Sequence, residues 1–157
     1  MTLELENFEE VRIRGEALYK DLTETYCPYL KEKVAFNARG LEHLKFKEHR
    51  KARPRQDQYM PLKLLHLAPA VIGASSTLQG IWETKNFERV RVHSRTDIIL
   101  KEVTYYEFVA VVEKIRVKVI AKRVASGQCF FWSIIPYWGI DRGTNKRKLH
   151  SGYPEQD

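Results

Sequence analysis

The sequence predicts an α+β protein, with N-terminal helices packed on a C-terminal antiparallel meander of three to four strands. Two patterns carry that expectation. Apolar residues recur at helical spacing through the first half, whereas VTYYEFVAVVE, IRVKVIAKRV and QCFFWSIIPYW are β-branched and aromatic runs of strand length separated by short turn-like links. A third observation sets the scale: 157 residues, 43% apolar and 30% charged, suffice for one domain with its own core. That domain is expected over residues 1–138, with the polar stretch 139–157 expected to fray.

From Phe8 to about Thr25 the residues Phe8, Val11, Ile13, Leu18, Tyr19 and Leu22 fit a helix, acidic early and basic late, with Asn7 as N-cap. Pro28 in CPYL stops it. Val34 to Asn37 is either a brief strand or a hydrophobic lead into a second helix capped by Asn37. If that helix continues, Leu41, Leu44 and Phe46 can form its buried stripe, and His43, Lys47, Arg50 and Lys51 share the opposite face at i, i+4, i+7 and i+8. Arg53-Pro54 ends it. The next helix is expected from near Gln56 to about Ala74, with Pro61 in its first turn and Pro69 kinking it or breaking it into two. Residues 78–101 read as an exposed hairpin or a mobile arm. On the middle run of the later sheet, Ile115, Val117, Val119 and Ala121 should face the helices and Arg116, Lys118, Ile120 and Lys122 the other side, a basic face. The last run is apolar on both faces and should be central, ended by Pro136.

Twenty-seven Lys and Arg against 20 Asp and Glu leave a net charge of +7, and the surplus is uneven. Acidic residues crowd the first helix, and Lys45, Lys47, Arg50, Lys51, Arg53 and Arg55 stand within eleven positions. Such a cluster attracts polyanions, nucleic acid above all, with salt-dependent affinity; its bland alternative is a solvated charged loop. Arg39, Gln58, Arg116, Lys118 and Lys122 are further candidate RNA or phosphate contacts. Tyr105, Phe131, Trp132 and Trp138 could stack on bases, although Phe131 and Trp132, in an apolar strand, are expected to be core.

His43 is the candidate proton-transfer residue. Cleaving RNA by attack of the 2′-hydroxyl requires a base, an acid and cations on the phosphate, and a histidine beside Lys47 and Arg50 offers part of that set. Ser133 has no GxSxG context, so it is expected to bond a phosphate oxygen or a neighbouring backbone group. His49, His66, His93 and His150 form no ligand pair, and Cys27 and Cys129 have neither zinc nor disulfide spacing. Neither metal nor cofactor is expected, and the absence of a Gly-rich phosphate loop argues against nucleotide hydrolysis. With no signal peptide pattern and no apolar run of membrane-spanning length, the expected location is the cytoplasm, without membrane contact.

Three segments carry a resemblance. Phe36, Asn37, Gly40, His43 and Leu44 give FNxxGxxHL; Arg53, Gln58 and Tyr59 follow; Phe131, Trp132, Ser133, Ile134 and Pro136 give FWSIxP. Over residues 18–138 the layout resembles the barnase, EndoU, colicin and RelE-like small ribonuclease superfamily, in its phage and mobile-element branch, and a group of short uncharacterised bacterial proteins with the same motifs. The resemblance implies a metal-independent, cyclising endoribonuclease acting as a toxin. His43, Lys47, Arg53 and Ser133 would be its catalytic residues, RNA its substrate, and an acidic antitoxin protein its partner. Where that pattern has an arginine after the Q-Y pair this chain has Pro61, so a weakened or inactive enzyme is also implied. A non-catalytic nucleic-acid-binding module and an interaction protein meeting an acidic partner are the alternatives.

Overall fold

Helix α1 (Phe8–Asp21) starts where the sequence places it but ends at Asp21, not near Thr25, because Leu22 is extended and residues 24–27 pair in the sheet before Pro28 is reached. Ile13, expected on its apolar face, is exposed, while Glu9 and Glu10 stand at the positive end of its dipole and Lys20 at the negative end. Phe8, Val11, Gly15 and Tyr19 are its buried residues. Asn7 stands at the cap position but its side chain makes no capping bond. The computed structural model describes residues 7–47, 51–92, 95–137 and 157. The tail expected to fray falls, apart from Asp157, outside these residues, as do Arg50, Trp138, His49, His93 and His150.

The chain continues through β1 (Glu24–Cys27), β2 (Glu32–Ala35), α2 (Ala38–Lys45), β3 (Phe46–Lys47), β4 (Lys51–Ala52), α3 (Arg55–Leu64), a 3-10 turn (Leu65–Leu67) and α4 (Ala68–Ala74). Four long strands follow: β5 (Gly80–Val92), β6 (Arg95–Val112), β7 (Ile115–Val124) and β8 (Phe130–Pro136). The architecture is α+β, with a six-stranded sheet in the order β1-β2-β8-β7-β6-β5 and a separate small β3-β4 ribbon. Pairing is antiparallel throughout except where β2 meets β8. The sheet exceeds the expected three to four strands because β1 and β2 join its far edge and because 80–92 and 95–101 pair as the hairpin, not the arm, of the two readings of this segment.

Two expected helices are reshaped. The second ends at Lys45, where the backbone turns extended at Phe46, so Phe46, expected in the buried stripe, is exposed on the ribbon. The chain instead turns back as the β3-β4 ribbon, so the shared helical face of His43, Lys47, Arg50 and Lys51 does not exist. The third helix starts at Arg55 and carries Pro61 inside it, not in its first turn, and the break expected at Pro69 appears as the 3-10 turn before α4.

The main core lies between the helices and one sheet face: Leu62, Leu65, Val71 and Ile72 meet Val117, Val119, Ala121 and Phe131. A smaller cluster, Val103, Tyr105 and Ile120, sits on the other face. The β6-β7 link is a two-residue turn with Glu113 and Lys114 both at positive φ, 51° and 67°, the backbone that matches the strand twist.

Two features position the site. Asn37 Oδ1 accepts from the Gly40 N–H at 3.2 Å, starting α2 as expected. A Cβ on Gly40 would overlap the Phe131 carbonyl oxygen, so only glycine lets α2 lie this close on β8. The second is a β-bulge. Ile120 pairs with Ser133 but Ala121 pairs with Phe131, which leaves Trp132 as the extra residue on β8, re-aimed relative to a regular strand.

Candidate anion-binding site

His43 sits in the last turn of α2 and is buried, only 9% exposed. It stacks on Trp132 with ring centroids 3.9 Å apart and planes 20° from parallel. Burial of His43 is the consequence of the early helix end. Its carbonyl has lost its helical continuation, and Arg53 replaces it by donating from Nε at 2.8 Å. The Arg53 N–H also donates to the Lys45 carbonyl at 2.8 Å, and Gln58 Nε2 donates to the Arg53 carbonyl at 2.7 Å. Arg53 thus closes the ribbon, caps α2 and is itself held by α3. Its Nη2 lies 3.5 Å from both ring nitrogens of His43, so the guanidinium faces the whole ring, not one nitrogen.

Lys122 lies over the same indole, 4.0 Å from the ring centroid, and pairs with Glu88 at 2.8 Å. Glu88 also receives Arg39 at 2.7 Å. Tyr105, directly opposite Lys122 on β6, pairs with Trp82 on β5, and Glu88 lies six residues farther along. A straight strand would carry Glu88 about 20 Å away. Its contact with Lys122 means that the β5-β6 hairpin curls over the second sheet face and walls the site. On the same face Lys118 Nζ donates to Glu107 Oε2 at 3.3 Å.

Asp157 occupies the middle. Ser133 Oγ donates to its backbone oxygen at 2.7 Å, and the His43 ring is hydrogen-bonded to its backbone as well. Its carboxylate lies 4.0 Å from Lys118 Nζ and acts electrostatically on Arg53. The Asp157 side chain is 1% exposed.

Burial pushes the His43 pKa down to about 3, helped by the charges of Arg53 and Lys122 and opposed by Asp157. The ring is therefore neutral near pH 7, a hydrogen-bonding and stacking group but a weak base where it is buried. Burial also lowers Arg53 below the usual arginine range.

Of the residues singled out from the sequence, His43, Arg53, Ser133, Lys118 and Lys122 converge, with Gln58 behind Arg53 and Arg39 at the rim through Glu88. The others lie elsewhere. Lys47 and Lys51 are exposed on the ribbon, and Arg116 is exposed on β7. Arg55 lies over the Phe8 ring, and Lys45 pairs with Glu16. Lys47, expected at the catalytic centre, is removed from it by the helix end at Lys45. The basic side of β7 is a covered layer, with Lys118 5% and Lys122 3% exposed and both facing carboxylates. Phe131 is core as expected, while Trp132 is partly exposed and forms the floor of the site.

Glu88, Glu107 and Asp157 were not singled out. Nothing local marks them: Glu88 and Asp157 are each one acid in a polar stretch and Glu107 one acid in an apolar run, and only the curl of the hairpin, the β6-β7 pairing and the placement of Asp157 bring them to the cations. Among the described residues no three or more His, Cys, Asp and Glu are grouped to hold a metal ion, and no helix is long and apolar enough to cross a membrane. Cys27 and Cys129 are both buried free thiols, and burial pushes Cys129 up to about 12. No protein-family model, no curated protein and no solved structure matches the chain.

Proposed function

We propose that this pocket binds a phosphate of RNA and that the protein is a metal-independent endoribonuclease, cleaving by attack of the 2′-hydroxyl to leave a 2′,3′-cyclic phosphate. The observation that carries this reading is the convergence of His43, Ser133, Lys118 and Arg53 on the oxygens of one acidic residue. Those oxygens stand in for the non-bridging oxygens of a phosphodiester: a hydroxyl and an imidazole donate to them, and two cations offset their charge. His43 is the residue placed to move a proton, Arg53 and Lys118 hold the negative charge that grows on phosphorus, and the Trp132 indole supports the imidazole from below. A phosphate in the place of Asp157 favours the protonated imidazole as the Asp157 charge does, and opening the site to solvent relieves the burial that depresses its proton affinity. Toxicity and an acidic antitoxin partner follow from the same reading.

Incubation with end-labelled RNA in EDTA tests it. Products ending in a cyclic phosphate, lost in His43→Gln and reduced at least about a hundredfold in Arg53→Lys, are the expected outcome. The low proton affinity of His43 favours a second reading, a non-cleaving nucleic-acid-binding module. Intact RNA together with a salt-sensitive mobility shift retained in His43→Gln would select it.

A further inference from the structure

Asp157 does more than mark where an anion fits. It is 8% exposed, and one residue supplies both a backbone oxygen and a carboxylate to His43 of α2, Lys118 of β7 and Ser133 of β8, and acts electrostatically on Arg53. A buried carboxylate is retained only where cations and donors offset its desolvation, and here the offset comes from the groups that would hold a phosphate. The two occupants present similar chemistry and cannot share the space.

We infer that Asp157 is an internal competitor for the phosphate pocket, and that a phosphate-bearing nucleic acid binds only after displacing it from Ser133, His43 and Lys118. This rests on the phosphate reading of the pocket but not on cleavage. The apparent affinity for ligand is then the intrinsic affinity reduced by the fraction of molecules in which Asp157 has left. Removing its charge raises that fraction. The cleaving form of the enzyme, if the nuclease reading holds, is the form without Asp157 in the pocket.

The test uses the full chain and a short single-stranded DNA oligonucleotide, which carries phosphates but has no 2′-hydroxyl to attack. Binding is compared for the wild type, Asp157→Asn and Asp157→Ala, with Asp21→Asn, an exposed position at the end of α1, as a control for the same change in net charge. Both Asp157 variants should bind about tenfold tighter than the wild type, as for a pocket open about a tenth of the time. The control should bind like the wild type. Inorganic phosphate should compete more effectively in the variants. Equal affinities, or an equal rise in the control, overturn the inference.

A second measurement needs no variant. In the wild type the backbone amide resonance of Asp157 should move toward its random-coil position as oligonucleotide is added, and an amide that stays put while the oligonucleotide binds also overturns it. Cleavage is read separately on RNA. Tighter binding by Asp157→Asn with intact RNA sinks the nuclease reading and leaves this inference standing, whereas cleavage with no gain in affinity does the reverse.

Discussion

His43 carries a stability cost at low pH that follows from its own surroundings. Unfolded, the imidazole takes up a proton near 6.5; folded, burial and the adjacent Arg53 hold it neutral down to about 3. Between those values the unfolded chain binds more protons, so stability is complete above about 6.5 and is lost as pH falls toward 3. Well below the upper limit the slope approaches about 1.4 kcal/mol per pH unit for this group alone. Urea unfolding of the wild type and His43→Gln between those limits should show the wild type losing stability more steeply, by up to that slope. Parallel curves would mean that the ring is solvated or protonated in the folded protein. The same residue shows what the sequence could and could not convey. Its identity as the candidate stood out from FNxxGxxHL, but its burial did not, because helical periodicity assigned it to a solvated face. That assignment assumed a helix beyond Lys45, and the helix stops there.

The contact between α2 and β8 depends on Gly40, and the element scale is where that glycine is tested. The helix lies so close to the strand that an added methyl would press on the Phe131 carbonyl and on the Tyr19 hydroxyl. Neither can retreat easily. The Tyr19 hydroxyl donates to the Asn37 carbonyl at 2.6 Å, and Phe131 is fully buried against Phe36, with ring centroids 5.3 Å apart. Gly40→Ala should therefore destabilise the protein by about 1–3 kcal/mol in chemical unfolding despite alanine's better helix propensity, because overpacking outweighs it. A stabilising effect, the usual result for Gly→Ala inside a helix, would show that α2 can lift off the sheet without penalty. The cap at Asn37 and the strand character of β6, β7 and β8 were legible because local chemistry decides them. The bulge at Trp132 and the curl of the β5-β6 hairpin were not, since both arise from the twist of a sheet whose sixfold width no local pattern specifies.

Across the whole molecule, the cations of the described residues around the site fall into two populations with different expected effects on binding. Lys45, Lys122 and Arg39 are committed to Glu16 and Glu88, so they hold elements together and gain little by approaching a phosphate. Lys47 and Lys51 project from the ribbon into solvent beside Arg53, where a nucleic-acid backbone leaving the pocket would pass. Counterion release makes the distinction measurable, because each phosphate neutralised contributes about 0.7 to the slope of log K against log salt for a single strand. Lys47→Ala and Lys51→Ala should each weaken binding of a single-stranded oligonucleotide and lower that slope by about 0.7. Lys45→Ala carries the same change in net charge but removes an internal pair between α1 and α2. It should leave the slope unchanged and cost at most about 1 kcal/mol of stability, since the pair is partly exposed. Equal slopes for Lys45→Ala and Lys47→Ala would mean that net charge alone, and not the placement of cations around the pocket, attracts the ligand.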